Sequence, residues 1–217
     1  MRHSRESGET TLGTVTRWWW IRHAPVPTGR NIVYGQMDLD ADCSDIAAFN
    51  GLARELPKGA VLVTSDLRRT IQTADTIRKS GLELPPPIVE PDLREQHFGD
   101  WQGMTHEAFA AQRNATPHRH WSVPAFIQPP NGENFVNLIG RVTPTINRLS
   151  EEYAGRDIIA VTHGGTIRAA LSLALRLDPE TALAFATQNL GITRLDLITD
   201  RADGSAWRIN AVNQPPC

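Results

Sequence analysis

A chain of 217 residues with 40% hydrophobic content has enough apolar side chain to bury one substantial core, so a single domain is expected. The formal net charge of −2, with no run of lysine or arginine, excludes a broad nucleic-acid footprint and confines any anion binding to a local pocket. Cys43 and Cys217 cannot build a disulfide framework or a zinc site, no stretch reaches membrane-spanning length, and residues 1–13 lack the apolar centre of a secretory signal; a cytoplasmic protein with neither membrane nor nucleic acid as partner is expected.

Residues 1–14 have no periodicity and are expected to form a flexible tail, with His3 inert. Residues 16–25, TRWWWIRHAP, put bulky apolar side chains on both faces and then stop at Arg22 and His23. That is the pattern of a buried strand delivering an arginine and a histidine to its carboxyl end, where ligands bind in open α/β sheets. Residues 24–43 carry Pro25, Pro27, Gly29 and Gly35 and read as a long loop beside that end. A helix over 44–56 follows, capped by Ser44 and closed by Pro57 and Gly59.

Residues 60–64 predict a second strand, with Ser65 and Asp66 capping a helix to Lys79. Its apolar stripe runs through Leu67, Ile71, Ala74 and Ile77, which leaves Arg69 on the other side: either a solvated helix face or a cation overhanging the carboxyl edge of the sheet. A short strand at 88–89 leads into DLREQHFGDWQG, 92–103, where Glu95 sits in a setting that can bury a carboxyl. A helix over 105–114 and a proline-rich stretch over 115–130 follow; His118 and His120 lack a third metal ligand and read as surface loop. Helical spacing resumes over 131–153, with a kink expected at Pro144.

Residues 158–162 form another strand, and it too ends in a histidine, His163, followed by Gly164 and Gly165 at the start of a helix over 166–175. The free N–H groups of that first turn point toward His163 and suit a phosphate. A helix from Asp178 to about Thr187 and a terminal antiparallel hairpin, 191–198 and 206–212, complete the chain.

Four segments in order, Arg22-His23, Ser65-x-Leu67-x-Arg69-x-x-x-Thr73-Ala74, Leu93-x-Glu95-x-x-Phe98-Gly99-x-Trp101-x-Gly103 and Val161-Thr162-His163-Gly164-Gly165, resemble the histidine phosphatase superfamily, in its phosphoglycerate mutase-like branch. Within that branch the short chain and the Arg-His-Ala-Pro variant look most like the alpha-ribazole and broad-specificity phosphatases. The resemblance implies an α/β three-layer sandwich with a mostly parallel central sheet, helices on both faces, a small helical and loop cap around 104–135 and a C-terminal hairpin, all in one domain over 15–213. It departs from the family's usual pattern at Ala24-Pro25, where glycine and glutamate are usual, at Gln102, and in the loop where only Asn31 offers an asparagine.

The same residues make chemical sense together. Arg22 and Arg69 can clamp the oxygens of a phosphate monoester while His163 and the Gly164 backbone add donors, in the place of a metal ion. The resemblance implies that His23 is the nucleophile that forms a phosphohistidine, with Glu95 as general acid and then base. No cofactor is implied, and the partner is a small-molecule phosphate monoester. Glu133, in a Gly-Glu pair that the family shares, reads as structural. Two other readings accompany the phosphatase: a phosphoglycerate mutase-type transfer, and a non-catalytic module for phosphorylated ligands. Oligomeric state is left open.

Overall fold

The computed structural model describes residues 13–112, 123–200 and 204–217. The expected tail through residue 12, with His3, the His118, His120 and Trp121 stretch, and residues 201–203 of the hairpin link lie outside the described residues.

Six strands form one sheet in the order β3-β2-β4-β1-β5-β6, with β1 Thr14–Arg22, β2 Val61–Thr64, β3 Ile88–Val89, β4 Asp157–Thr162, β5 Ile192–Asp200 and β6 Gly204–Gln214. β3, β2, β4 and β1 are mutually parallel; β5 runs antiparallel to β1, and β6 returns antiparallel to β5 as the expected hairpin. Alternation along the strands builds a core on each face. Trp18, Trp20, Val63, Ile158 and Ala160 pack under α4 (Phe135–Glu152) and α5 (Gly164–Leu175). Ile21, Leu62, Ile159 and Val161 pack under α1 (Ile46–Glu55) and α2 (Arg68–Lys79). The tryptophan run is thus core on both sides of the central strand: Trp18 and Trp20 stack with ring centroids 4.7 Å apart, while Trp19 faces the other way.

Several local expectations change. The cap of α1 is Asp45, whose carboxylate accepts from the Ala48 N–H, and not Ser44. α2 begins after Leu67 with no side-chain cap, because both expected caps are used elsewhere: Ser65 bonds His163, and Asp66 pairs with Arg94. The buried side of α2 carries Arg69, Thr70, Thr73, Ala74 and Ile77, so Arg69 is fully enclosed and the solvated-face alternative fails. α4 runs through Pro144 without interruption, opened by a capping box between Asn134 and Asn137. The helix expected from Asp178 to Thr187 is one turn, α6 (Pro179–Ala182), and the chain beyond it turns in toward the sheet edge. Between β3 and α4, the short helix α3 (His106–Gln112) is tied to the first long loop by Val33 N–H to Met104 O (2.9 Å) and His106 N–H to Asn31 O (3.1 Å).

Candidate functional site

Strand register creates the centre of the site. β1 and β4 are paired so that Arg22 lies opposite Thr162, and the next residues, His23 and His163, leave the sheet side by side with ring centroids 5.3 Å apart. His23 is 1% exposed and His163 is fully buried. The Nδ1 of His23 lies 2.7 Å from the carbonyl of Ala24, an acceptor only, so Nδ1 carries the proton and Nε2 keeps its lone pair. The backbone around it is pinned by His23 N–H to Thr162 O (2.9 Å), Asn189 Nδ2 to His23 O (2.7 Å) and Ala24 N–H to Thr73 Oγ1 (2.9 Å). Burial, then the charges of Arg69 and Arg22, hold the His23 ring well below the ordinary histidine pKa, so it is neutral near pH 7.

Arg69 reaches the same centre from the first turn of α2. Its Nε donates to His163 Nδ1 (3.3 Å), while Nη1 and Nη2 donate to the carbonyls of Met37 (2.7 Å) and Gly35 (2.6 Å). A guanidinium cannot accept, so His163 holds its proton on Nε2 and donates it to Ser65 Oγ, 2.8 Å away. Both ring nitrogens of His163 are therefore engaged by the protein, and its pKa is likewise lowered by burial and by Arg69. Ser65 and Thr73, spaced around Arg69 in the sequence, are thereby explained: one holds the second histidine and the other the residue after the first.

Glu95 arrives from the opposite side. Thr162 Oγ1 and Thr166 Oγ1 both bond the carbonyl of Leu93, at 2.8 and 3.1 Å, which fixes the chain just before it. The carboxylate then accepts from the N–H of Gly165 at 3.0 Å, in the first turn of α5, and from its neighbour Gln96 N–H at 2.9 Å. Gly165 is required here, since a Cβ at that position would overlap Glu95 Oε1.

Three further groups, Arg168, Thr187 and Tyr34, border the site and went unread in the sequence. Arg168, on α5, is largely buried, donates from Nε to Phe185 O (2.8 Å), and feels the charges of Glu95 and Arg22. Its spacing of four from Gly164 is the helical signal that could have found it. Arg22 Nη1 donates to Thr187 O (2.6 Å), whereas Arg22 Nε and Thr187 Oγ1 are buried polar atoms without a partner. Both border Gly164, at 3.6 and 2.9 Å from where its Cβ would stand. Tyr34 lies against Arg69, with Cζ 5.1 Å from its ring, and presents an edge to His23 at 6.4 Å. Asn31 is exposed and contributes only its carbonyl, while Gln102 Oε1 accepts from Gln36 N–H (2.8 Å).

All the residues anticipated from the sequence, Arg22, His23, Arg69, Glu95, His163 and Gly164, gather at one sheet edge. The guanidinium groups of Arg22, Arg69 and Arg168 at this edge suit an anion. Such a fold and site define a class of α/β proteins with paired histidines above a parallel sheet. Residues 18–213 match the histidine phosphatase superfamily (branch 1), and the chain belongs to that family. It is 39% identical over 200 residues to a glucosyl-3-phosphoglycerate phosphatase of Mycolicibacterium vanbaalenii, covering 82% of this chain and 86% of the relative. A bifunctional protein of Mycobacterium tuberculosis is 30% identical over 93% of this chain, which spans only 55% of that relative's length. The native structure of a mycobacterial glucosyl-3-phosphoglycerate phosphatase superposes with a TM-score of 0.75 at 28% identity, covering 92% of this chain and 99% of the other. Among the described residues, no helix is long and apolar enough to cross a membrane.

Proposed function

We propose that this protein hydrolyses small-molecule phosphate monoesters through a phosphohistidine on His23. The observation that carries this reading is the buried, neutral His23 ring, its Nε2 lone pair free and its other nitrogen locked to Ala24 O, set among Arg22, Arg69 and Arg168. The ester's phosphoryl oxygens take the guanidinium donors, Nε2 attacks phosphorus, and the bond from phosphorus to the alcohol oxygen breaks. Glu95, acting as general acid, passes a proton to the departing oxygen. Water then enters, loses a proton to Glu95, attacks phosphorus and releases orthophosphate as the P–N bond breaks.

The orphaned Arg22 Nε and Thr187 Oγ1 support the same reading, since both are donors that a phosphoryl oxygen would satisfy. The phosphatase names of the relatives point the same way. Cation-rich surroundings do the work of charge neutralisation, so turnover is expected to survive a chelator. The test is phosphate release from p-nitrophenyl phosphate with chelator present. His23→Ala should reduce it on the order of a thousandfold or more, and rapid quenching of wild type should trap phosphorus on His23. Equal rates for the two proteins would overturn the assignment.

A further inference from the structure

The chain beyond α6 returns to the sheet edge as a tight turn. Gly191 N–H donates to Gln188 O (3.1 Å), which closes the turn over residues 188–191, and Leu190 within it has a φ of 61°. Glycine is the usual occupant of such a left-handed position, because a bulky side chain is strained there. Leu190 holds it nevertheless: its side chain is 5% exposed, in the core shared with Ile21, Ala24 and Ile192, and its N–H donates to Arg22 O (2.9 Å). Further bonds tie the same stretch to the end of β1, namely Arg22 Nη1 to Thr187 O (2.6 Å), Arg22 N–H to Gly191 O (3.4 Å) and Asn189 Nδ2 to His23 O (2.7 Å). Residues 187–191 therefore grip the backbone on which the reacting histidine stands.

What holds the turn lies farther along the chain. The pairing of β5 with β6 shifts register between Ile192 and Leu195, where β6 carries extra residues. Such a bulge re-aims a side chain out of the ladder. Here Asn213 takes a φ of 53°, its N–H donates to Thr193 Oγ1 (3.1 Å), and its Oδ1 accepts from Gln188 N–H (2.5 Å). Gly191 leaves room for that approach, since a Cβ there would stand 2.7 Å from the Asn213 Oδ1. Gln188 is exposed, so water would satisfy its N–H equally well; burial does not require the bond, and its effect is to fix the turn. Two left-handed residues other than glycine thus meet at one corner, and strain of this kind persists where the surroundings over-determine it, characteristically beside functional groups.

We propose that Asn213 is a positioning residue for phosphoryl transfer, acting through the 188–191 turn to fix the peptide groups of Arg22 and His23 and with them the direction of the His23 Nε2 lone pair. The proposal rests on the phosphatase reading for the reaction it serves, but the placement of the His23 ring is observable without turnover. An attacking nitrogen must lie in line with the departing oxygen, and a displacement of about 1 Å slows transfer on the order of a hundredfold. Anion binding tolerates such a shift better, because Arg69 and Arg168 are held by the carbonyls of Gly35, Met37 and Phe185, outside the turn.

The experiment compares Asn213→Gly, which keeps the left-handed backbone and deletes the acceptor, with Asn213→Asp, which keeps both. Single-turnover phosphorylation of His23 by p-nitrophenyl phosphate, followed by rapid quenching, should slow about tenfold or more in Asn213→Gly, while inhibition by inorganic phosphate changes by less than about threefold. Asn213→Asp should recover most of the rate. Thr193→Val, which removes the partner of the Asn213 N–H and leaves Asn213 itself intact, should slow phosphorylation in the same direction by a smaller factor. The second readout is the proton NMR signal of His23 Nδ1–H, which donates to Ala24 O and is identified by its loss in His23→Asn; it should broaden in Asn213→Gly. A wild-type phosphorylation rate in Asn213→Gly, a rate equally depressed in Asn213→Asp, or an imidazole signal unchanged by Asn213→Gly would overturn the proposal. If the wild type forms no phosphohistidine yet the signal still broadens in Asn213→Gly, the positioning stands and the hydrolytic reading fails. If wild type and Asn213→Gly form phosphohistidine equally fast, hydrolysis stands and the positioning fails.

Discussion

Arg141 Nη2 donates both to the Glu133 carboxylate (2.6 Å) and to the backbone carbonyl of Glu95 (2.9 Å). Through Nη1 the same arginine bonds the carbonyls of Asp92 (2.6 Å) and Arg94 (3.1 Å), and Glu133 returns to the segment by accepting from His97 N–H (2.9 Å). A pair on α4 and just before it therefore grips the chain on both sides of Glu95 without entering the cup. The structural part expected of Glu133 thus takes a definite form, as a clamp on the loop of the acid.

Breaking that clamp should loosen Glu95 more than it loosens the nucleophile. Glu133 and Arg141 side chains are only 17% and 21% exposed, so Glu133→Gln is expected to cost about 1–3 kcal/mol of stability. Its signature in activity is a loss that depends on the leaving group. An alkyl phosphate, which needs a proton donor, should slow about tenfold more than p-nitrophenyl phosphate, which does not. Chemical denaturation and paired kcat values check both halves, and a uniform loss on the two substrates would mean that the clamp acts on the fold alone.

Gly165 makes room for the Glu95 carboxylate, so Gly165→Ala forces one of them to move. The N–H to Oε1 bond of 3.0 Å is lost with the displacement. Turnover of alkyl phosphates should fall about a hundredfold, with inorganic phosphate binding changed much less, since the arginines stay where they are. Steady-state rates together with phosphate inhibition constants separate the two effects.

Thr187→Val tests whether the orphaned hydroxyl awaits a ligand. Replacing an unpartnered buried hydroxyl by a methyl group removes no protein hydrogen bond, so thermal stability should hold or rise slightly. Inhibition by inorganic phosphate should weaken about fivefold to tenfold, the worth of one hydrogen bond. Unchanged inhibition by phosphate would place the hydroxyl outside the anion's reach.

Stability should depend on pH through the two buried histidines. Both are held well below the ordinary value of 6.5, chiefly by burial. Between that value and their folded-state values, the unfolded chain binds more protons than the folded one. Stability therefore rises with pH through this window and falls as acid is added below about 6.5, by up to about 1.4 kcal/mol per pH unit for each histidine. Urea midpoints measured from pH 7.5 to 5 should show that slope, and His23→Asn should remove about half of it. A flat profile would indicate that the rings bind protons equally in the folded and unfolded states.

The amino-acid sequence by itself determined the parts. The tryptophan run with its abrupt Arg22-His23 ending, the β-branched run ending in His163, and the glycines opening α5 are local signals, set by side-chain periodicity and backbone freedom over a few residues. The hairpin followed from strand alternation, and the sandwich architecture from the family resemblance those segments carry. Only the tertiary structure decided how the parts meet. The register that sets Arg22 against Thr162 aligns the two histidines, the loop carbonyls of Gly35 and Met37 draw Arg69 inward, and the chain past α6 folds back to meet Arg22 and Arg168. Helical phase alone left Arg69 between solvent and site, because it reports which residues share a face and not what will cover that face. Arg141, Thr187 and Tyr34 stayed unread for the same reason: each acquires its meaning from a partner distant in the chain, and contacts across such separations leave no periodic mark in the sequence.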